Sequence, residues 1–116
     1  LHTHGVRGEL NEEYGSMLAE YMGIKLPKEQ MFLAGWGHIA GGYDAGYYGY
    51  MWSKVYSSDM FTRFKKEGLL NEKTGMDYRK WILEKGSSMD EMDLVRGFLG
   101  RDPNDEAFLD EIGLRM

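Results

Sequence analysis

The sequence contains no cysteine, which excludes disulfides, thiolate metal ligands and a cysteine nucleophile. No apolar run approaches the roughly 20 residues of a membrane-spanning helix. The opening Leu1-His2-Thr3-His4-Gly5 has neither the basic nor the apolar region of a signal peptide. It also lacks an initiator Met, so the chain is expected to begin partway through something longer. Positive charge is in deficit: 14 Lys and Arg stand against 19 Asp and Glu, a net charge of −5. Neither nucleic acid nor an anionic membrane is expected as a partner.

Several catalytic signatures are missing too. No phosphate-cradling loop or dinucleotide fingerprint occurs. Ser53, Ser57 and Ser58 lie in helical sequence without a nucleophile elbow. The carboxylates Asp90 and Glu91 are accounted for by helix-start chemistry. Only three histidines are present, His2, His4 and His38, and there is no H-E-x-x-H. His2 and His4 form an H-x-H pair that could chelate a metal, but no third ligand lies near them in sequence, and no metal ligand is assigned.

What remains is a chain of 116 residues, 42% hydrophobic and 28% charged, enough for one domain with a modest core. Nine Met and sixteen aromatic residues supply soft, bulky core material. Tyr14, Met17, Leu18, Tyr21 and Met22 repeat at helical spacing, with Asn11 as N-cap and Gly23 as stop. Residues 24–33 read as an extended connector around Pro27. A long helix is expected from Asp44 to Glu67, closed by Gly68. Its wide face of Tyr48, Met51, Trp52, Val55, Tyr56, Met60 and Phe64 implies burial over much of its circumference.

Three shorter helices follow. One runs from the cap Asn71 to Lys85. A second opens on the capping-box pattern Ser88-Met89-Asp90-Glu91 and ends at Gly100. The last opens on Asp102-Pro103, read as N-cap and N1 proline, and ends at Gly113. The expected class is all-α, about five helices around one long buried helix, in a single segment covering residues 1–116.

Residues 35–50 hold six glycines, four tyrosines and one histidine. Glycine at that density allows positive φ and close backbone approach. His and neutral Tyr donors on such a loop suit stabilisation of a developing oxyanion. On composition alone, a Gly/Tyr-biased surface loop is the simpler reading. Gly46 and Gly49 fall in the first turns of the expected long helix, where each costs up to about 1 kcal/mol of helix propensity. Local conflict of this kind tends to fall at functional sites, and the stretch is expected to be one.

The run from Gly37-His38-Ile39-Ala40-Gly41-Gly42-Tyr43-Asp44 to Gly49-Tyr50-Met51-Trp52-Ser53 closely resembles a C-terminal signature of the thimet oligopeptidase/neurolysin/oligopeptidase A family of zinc metallo-oligopeptidases. The likeness continues through Val55-Tyr56-Ser57-Ser58-Asp59-Met60-Phe61, Phe64-Lys65-Lys66-Glu67-Gly68, Gly75-Met76-Asp77-Tyr78-Arg79 and Phe98-Leu99-Gly100-Arg101-Asp102-Pro103. It reaches back to Leu1-His2-Thr3, and so covers nearly the whole chain.

The resemblance implies part of the catalytic lobe of a larger helical, cytoplasmic peptidase that cleaves short peptides. It implies a zinc cofactor bound by an upstream H-E-x-x-H helix and a following Glu, none of which is in this sequence. By the same resemblance His38 holds the substrate backbone. Tyr43 and Tyr50 match tyrosines that hydrogen-bond the scissile carbonyl or the oxyanion, and Tyr47 matches a further channel-lining tyrosine. Gly41, Gly42 and Gly46 match glycines that let the loop swing onto substrate. Tyr48 is expected in the core, and Tyr47 and Tyr50 on one side of a helix.

The function expected is therefore the substrate-binding and oxyanion-stabilising part of such an enzyme, inactive without its zinc-binding lobe. A non-catalytic helical module that binds a peptide or a protein is the alternative, and a stabilising subunit of a larger assembly a weaker third. An apolar face meant for the missing lobe also implies self-association.

Overall fold

The computed structural model describes Gly5 and residues 8–114, so the His2/His4 pair lies outside the described residues. The regular elements are all helical, as expected. They are α1 (Leu10–Met22), α2 (Phe32–Gly35), α3 (Gly49–Glu67), α4 (Glu72–Tyr78), α5 (Glu91–Leu99) and α6 (Glu106–Glu111). A 3-10 turn spans Gly37–Ile39 and a π turn spans Arg79–Leu83. Among the described residues, no helix is long and apolar enough to cross a membrane. The chain divides into two compact units, Leu1–Tyr48 and Gly49–Met116.

In the first unit, the cap of α1 is Glu9 rather than Asn11. The Glu9 carbonyl accepts from the Glu12 and Glu13 N–H groups at 3.0 and 3.1 Å, which starts the helix two residues early. Asn11, already inside the first turn, turns its Nδ2 to Met31 Sδ instead. Gly23 ends α1 at φ 68°, with its own N–H and that of Ile24 donating to the Leu18 carbonyl. This left-handed closure is the one glycine supplies without a Cβ penalty. The apolar stripe is only partly covered: Tyr14 stacks on Phe32 of α2, while Met17, Tyr21 and Met22 stay exposed.

In the second unit, α3 starts at Gly49 and not at Asp44; residues 44–48 are turns. Gly46, a poor helix former, falls among these turns, while Gly49 is taken into the helix as its first residue. α3 packs against α4, α5 and α6. Nineteen residues extend about 28 Å, whereas the nine of α5 and six of α6 reach only about 13 and 9 Å.

The short partners therefore half-bury Val55, Tyr56, Met60 and Phe64 but leave Met51 and Trp52 exposed. The expectation of a helix buried over much of its circumference fails for that reason. Tyr48, expected in the core, lies before the helix and is 67% exposed. Among the described residues the buried apolar side chains are Leu94, Phe98 and Phe108, all in this unit. Phe64 and Tyr78 pack on Phe98 at 5.8 and 5.5 Å between ring centroids.

Asn71 caps α4 as expected, its Oδ1 accepting from the Thr74 N–H at 3.1 Å. The cap of α5 is Asp90, whose carboxylate accepts from the Met92 N–H at 2.9 Å. Ser88 is not the cap; its N–H closes a turn onto the Lys85 carbonyl. α6 likewise opens at Glu106 and not after Asp102-Pro103. Arg96 Nε takes the Asp102 carboxylate at 2.6 Å, and Asp59 takes the Asn104 N–H at 3.0 Å. Both groups a cap at Asp102 would use are thus engaged elsewhere in the unit.

Two polar groups hold this unit together. Asp59 is 1% exposed and accepts two bonds from the Arg101 guanidinium besides the Asn104 N–H. Burial pushes its carboxyl upward, but the Arg101 hydrogen bonds, the Asn104 N–H and the Arg101 charge outweigh that and hold it below the usual carboxylate range. Arg63 joins three elements: Nε donates to Glu67, one terminal nitrogen to Asp77 and the other to the Phe98 carbonyl.

Candidate functional site

The Gly/Tyr stretch follows α2 through a short run of turns. Trp36 donates its N–H to the Leu33 carbonyl at 3.2 Å and accepts from the Ile39 N–H at 3.1 Å. The His38 carbonyl accepts from the Gly41 N–H at 3.4 Å and the Tyr43 N–H at 3.1 Å, folding the loop back on itself. Two glycines are needed for this path. Gly42 sits at φ 85°, and a Cβ on Gly41 would come within 3.0 Å of the Gly37 carbonyl oxygen. Gly46 carries no such constraint, since its Cβ would meet only Tyr43 at 3.8 Å.

The fold brings three of the expected residues together. The His38 ring stands edge-on to Tyr43 at 5.8 Å and to Tyr47 at 5.0 Å. His38 is half-buried, while Tyr43 and Tyr47 stay 50% and 44% exposed. The cluster is thus only partly covered. Tyr50 belongs to the second unit, in the first turn of α3, and is 56% exposed. Tyr47 precedes that helix, so the expected helical relation between Tyr47 and Tyr50 is not formed.

The residue that sequence reasoning passed over is Trp36. Its indole meets Tyr47 at 4.8 Å and 81°, and His38 at 6.2 Å. The one sequence signal for it is the Phe32/Trp36 pair at i, i+4, matched by a ring contact of 6.2 Å.

Among the described residues, no group of three or more His, Cys, Asp or Glu side chains could hold a metal ion, so these residues do not fit a zinc site. In the second unit, a groove of about 850 Å³ between α3 and α6 is lined by Lys54, Ser58, Lys65 and Glu111 among others. The Glu111 carboxylate accepts from both Lys54, at 2.7 Å, and the Ser58 hydroxyl, at 2.8 Å.

Comparison with known proteins then supplies the class. The sequence profile of peptidase family M3 matches residues 1–114, and the chain belongs to that family. Oligopeptidase A of Escherichia coli (strain K12) is 42% identical over 93 residues, covering 79% of this chain and 14% of that protein. Saccharolysin of Saccharomyces cerevisiae is 47% identical over 81 residues, covering 68% of this chain and 11% of that protein. Dipeptidyl carboxypeptidase of Escherichia coli (strain K12) is 31% identical over 105 residues, or 90% and 15%. The chain spans about one-seventh of the length of the curated relatives it matches.

Proposed function

We propose that this chain supplies the substrate side of a metallo-oligopeptidase and that its zinc-binding part is carried elsewhere. The observation that supports this most is the gathering of His38, Tyr43 and Tyr47 into one half-open ring cluster, in a chain belonging to peptidase family M3. His38 holds the peptide backbone. Tyr43 and Tyr50 donate hydroxyl hydrogen bonds to the scissile carbonyl oxygen as negative charge builds on it, and Tyr47 lines the channel. Neutral phenols serve because they give a proton bond without losing the proton. Loss of one such donor costs about 2.7–4 kcal/mol in well-studied oxyanion holes.

Gly41, Gly42 and Gly46 let the loop close on the substrate. Short peptides as substrates, a zinc cofactor outside this chain and a cytoplasmic setting belong to the same proposal. Its test is complementation: a short peptide is offered with zinc to this chain, to the H-E-x-x-H part, and to the two combined. Cleavage is expected only from the combination, and cleavage by this chain alone would overturn the division of labour.

A second reading, a non-catalytic peptide- or protein-binding module, is favoured by the exposed Tyr48, Met51 and Trp52. Under it, the chain alone binds a peptide or protein partner and its combination with the zinc part adds no turnover.

A further inference from the structure

The rings of the candidate site do not stand alone; they end a ladder. Tyr14 of α1 stacks on Phe32 at 5.2 Å and 6°, Phe32 meets Trp36 at 6.2 Å, and Trp36 meets both Tyr47 and His38. Every centroid separation falls within the range in which aromatic pairs attract. Trp36 is the branch point, the residue through which the ladder reaches His38 and Tyr47. Its backbone is tied at the same place, bridging the end of α2 to the 3-10 turn. A glycine-rich loop left to itself would spread its side chains over many conformations. Here one indole, fixed on both sides, restricts the Tyr47 and His38 rings directly and Tyr43 through His38.

We propose that Trp36 is a positioning residue for the peptide-binding cluster, holding the Tyr47 and His38 rings in place before substrate arrives. This rests on the substrate-side role argued above. Trp36 itself need not touch substrate. Its contribution is preorganisation, and misplacement of reacting groups by about 1 Å can cost 100-fold in rate.

The test is made in the zinc-loaded peptidase assembled with this chain, comparing Trp36→Leu, Trp36→Phe, Tyr43→Phe, Tyr47→Phe and the Trp36→Leu/Tyr47→Phe pair. Trp36→Leu keeps apolar bulk but no ring edge, and is expected to lower kcat by about 30- to 100-fold with a smaller change in KM. Trp36→Phe keeps a ring and is expected to restore most of the rate. In the double variant the two losses should be less than multiplicative, because Trp36 acts through Tyr47. A reading independent of turnover comes from proton NMR of this chain. Trp36→Leu should move the Tyr47 and His38 ring resonances and leave those of the exposed Tyr48 in place.

Circular dichroism confirms that helix content is kept; if Trp36→Leu loses it, Trp36→Met takes its place in every assay. Wild-type turnover in Trp36→Leu, or strictly multiplicative losses, while the tyrosine variants are impaired overturns the positioning role alone. Wild-type turnover in both tyrosine variants overturns the substrate-side reading beneath it.

Discussion

Replacing Arg101 by Met should destabilise the second unit far more than replacing its partner Asp59 by Asn. Asp59 is 1% exposed, whereas the Arg101 side chain is 43% exposed. Removing Arg101 strands a buried carboxylate with only the Asn104 N–H, at 3.0 Å, as donor. Breaking a fully buried pair costs about 3–5 kcal/mol. Water reaches this pair from the Arg101 side, so screening lowers the expectation to about 2–3 kcal/mol. In Asp59→Asn the amide oxygen still accepts from Asn104, and Arg101 can turn into water; the loss should be about 1 kcal/mol.

The pH dependence gives a second check. The folded carboxyl of Asp59 titrates below its unfolded value, so the folded state binds fewer protons. The stability it contributes is complete above about pH 4 and is lost as pH falls through the lower, folded value. In Arg101→Met burial prevails and the carboxyl titrates upward. The deficit of that variant is therefore largest near neutrality and shrinks with acidification as the stranded carboxylate takes a proton. Urea unfolding followed by circular dichroism from neutral pH to about pH 4 measures both effects. Equal destabilisation by the two variants at neutral pH, or an Arg101→Met deficit that does not shrink with acid, would refute the reasoning.

Gly97→Ala should destabilise, despite the helix propensity gained, because the new Cβ would lie 2.3 Å from the Trp81 indole. Overpacking of this kind costs about 1–3 kcal/mol, and a raised thermal midpoint would contradict it. Gly42→Ala should cost about 1–2 kcal/mol for a side chain forced to φ 85°, whereas Gly46→Ala should be nearly neutral; equal effects on urea unfolding would count against the turn geometry. The exposed Met51, Trp52 and Tyr48 predict concentration-dependent self-association in sedimentation, and a monomer at all concentrations would count against it.

The helix ends were legible because their signals are local. Gly23, Gly68 and Gly100 all adopt positive φ at the expected stops, and Asn71 caps α4 through its own side chain. The misread starts failed for different reasons: α1, α3 and α5 for local ones, α6 for contacts made outside its own first turn. Asp102 looks like a cap until Arg96, six residues back, and Asp59, on α3, claim the groups a cap would use. Periodicity identified the apolar face of α3 but could not say that α5 and α6 are too short to cover it. The assignments of His38, Tyr43 and Tyr50 came from family resemblance, since spacing alone allowed a biased loop. Trp36 was illegible as a branch point because its contacts depend on turns that no periodic pattern encodes.

The most direct measurement of the central claim is kcat/KM for Tyr43→Phe and Tyr50→Phe in the zinc-loaded peptidase assembled with this chain. Each substitution removes one hydroxyl and keeps the ring. If these phenols steady the oxyanion, each should lower kcat/KM by about 100- to 1,000-fold, mainly through kcat. Both variants staying within about threefold of wild type, less than 1 kcal/mol of transition-state stabilisation, would contradict it.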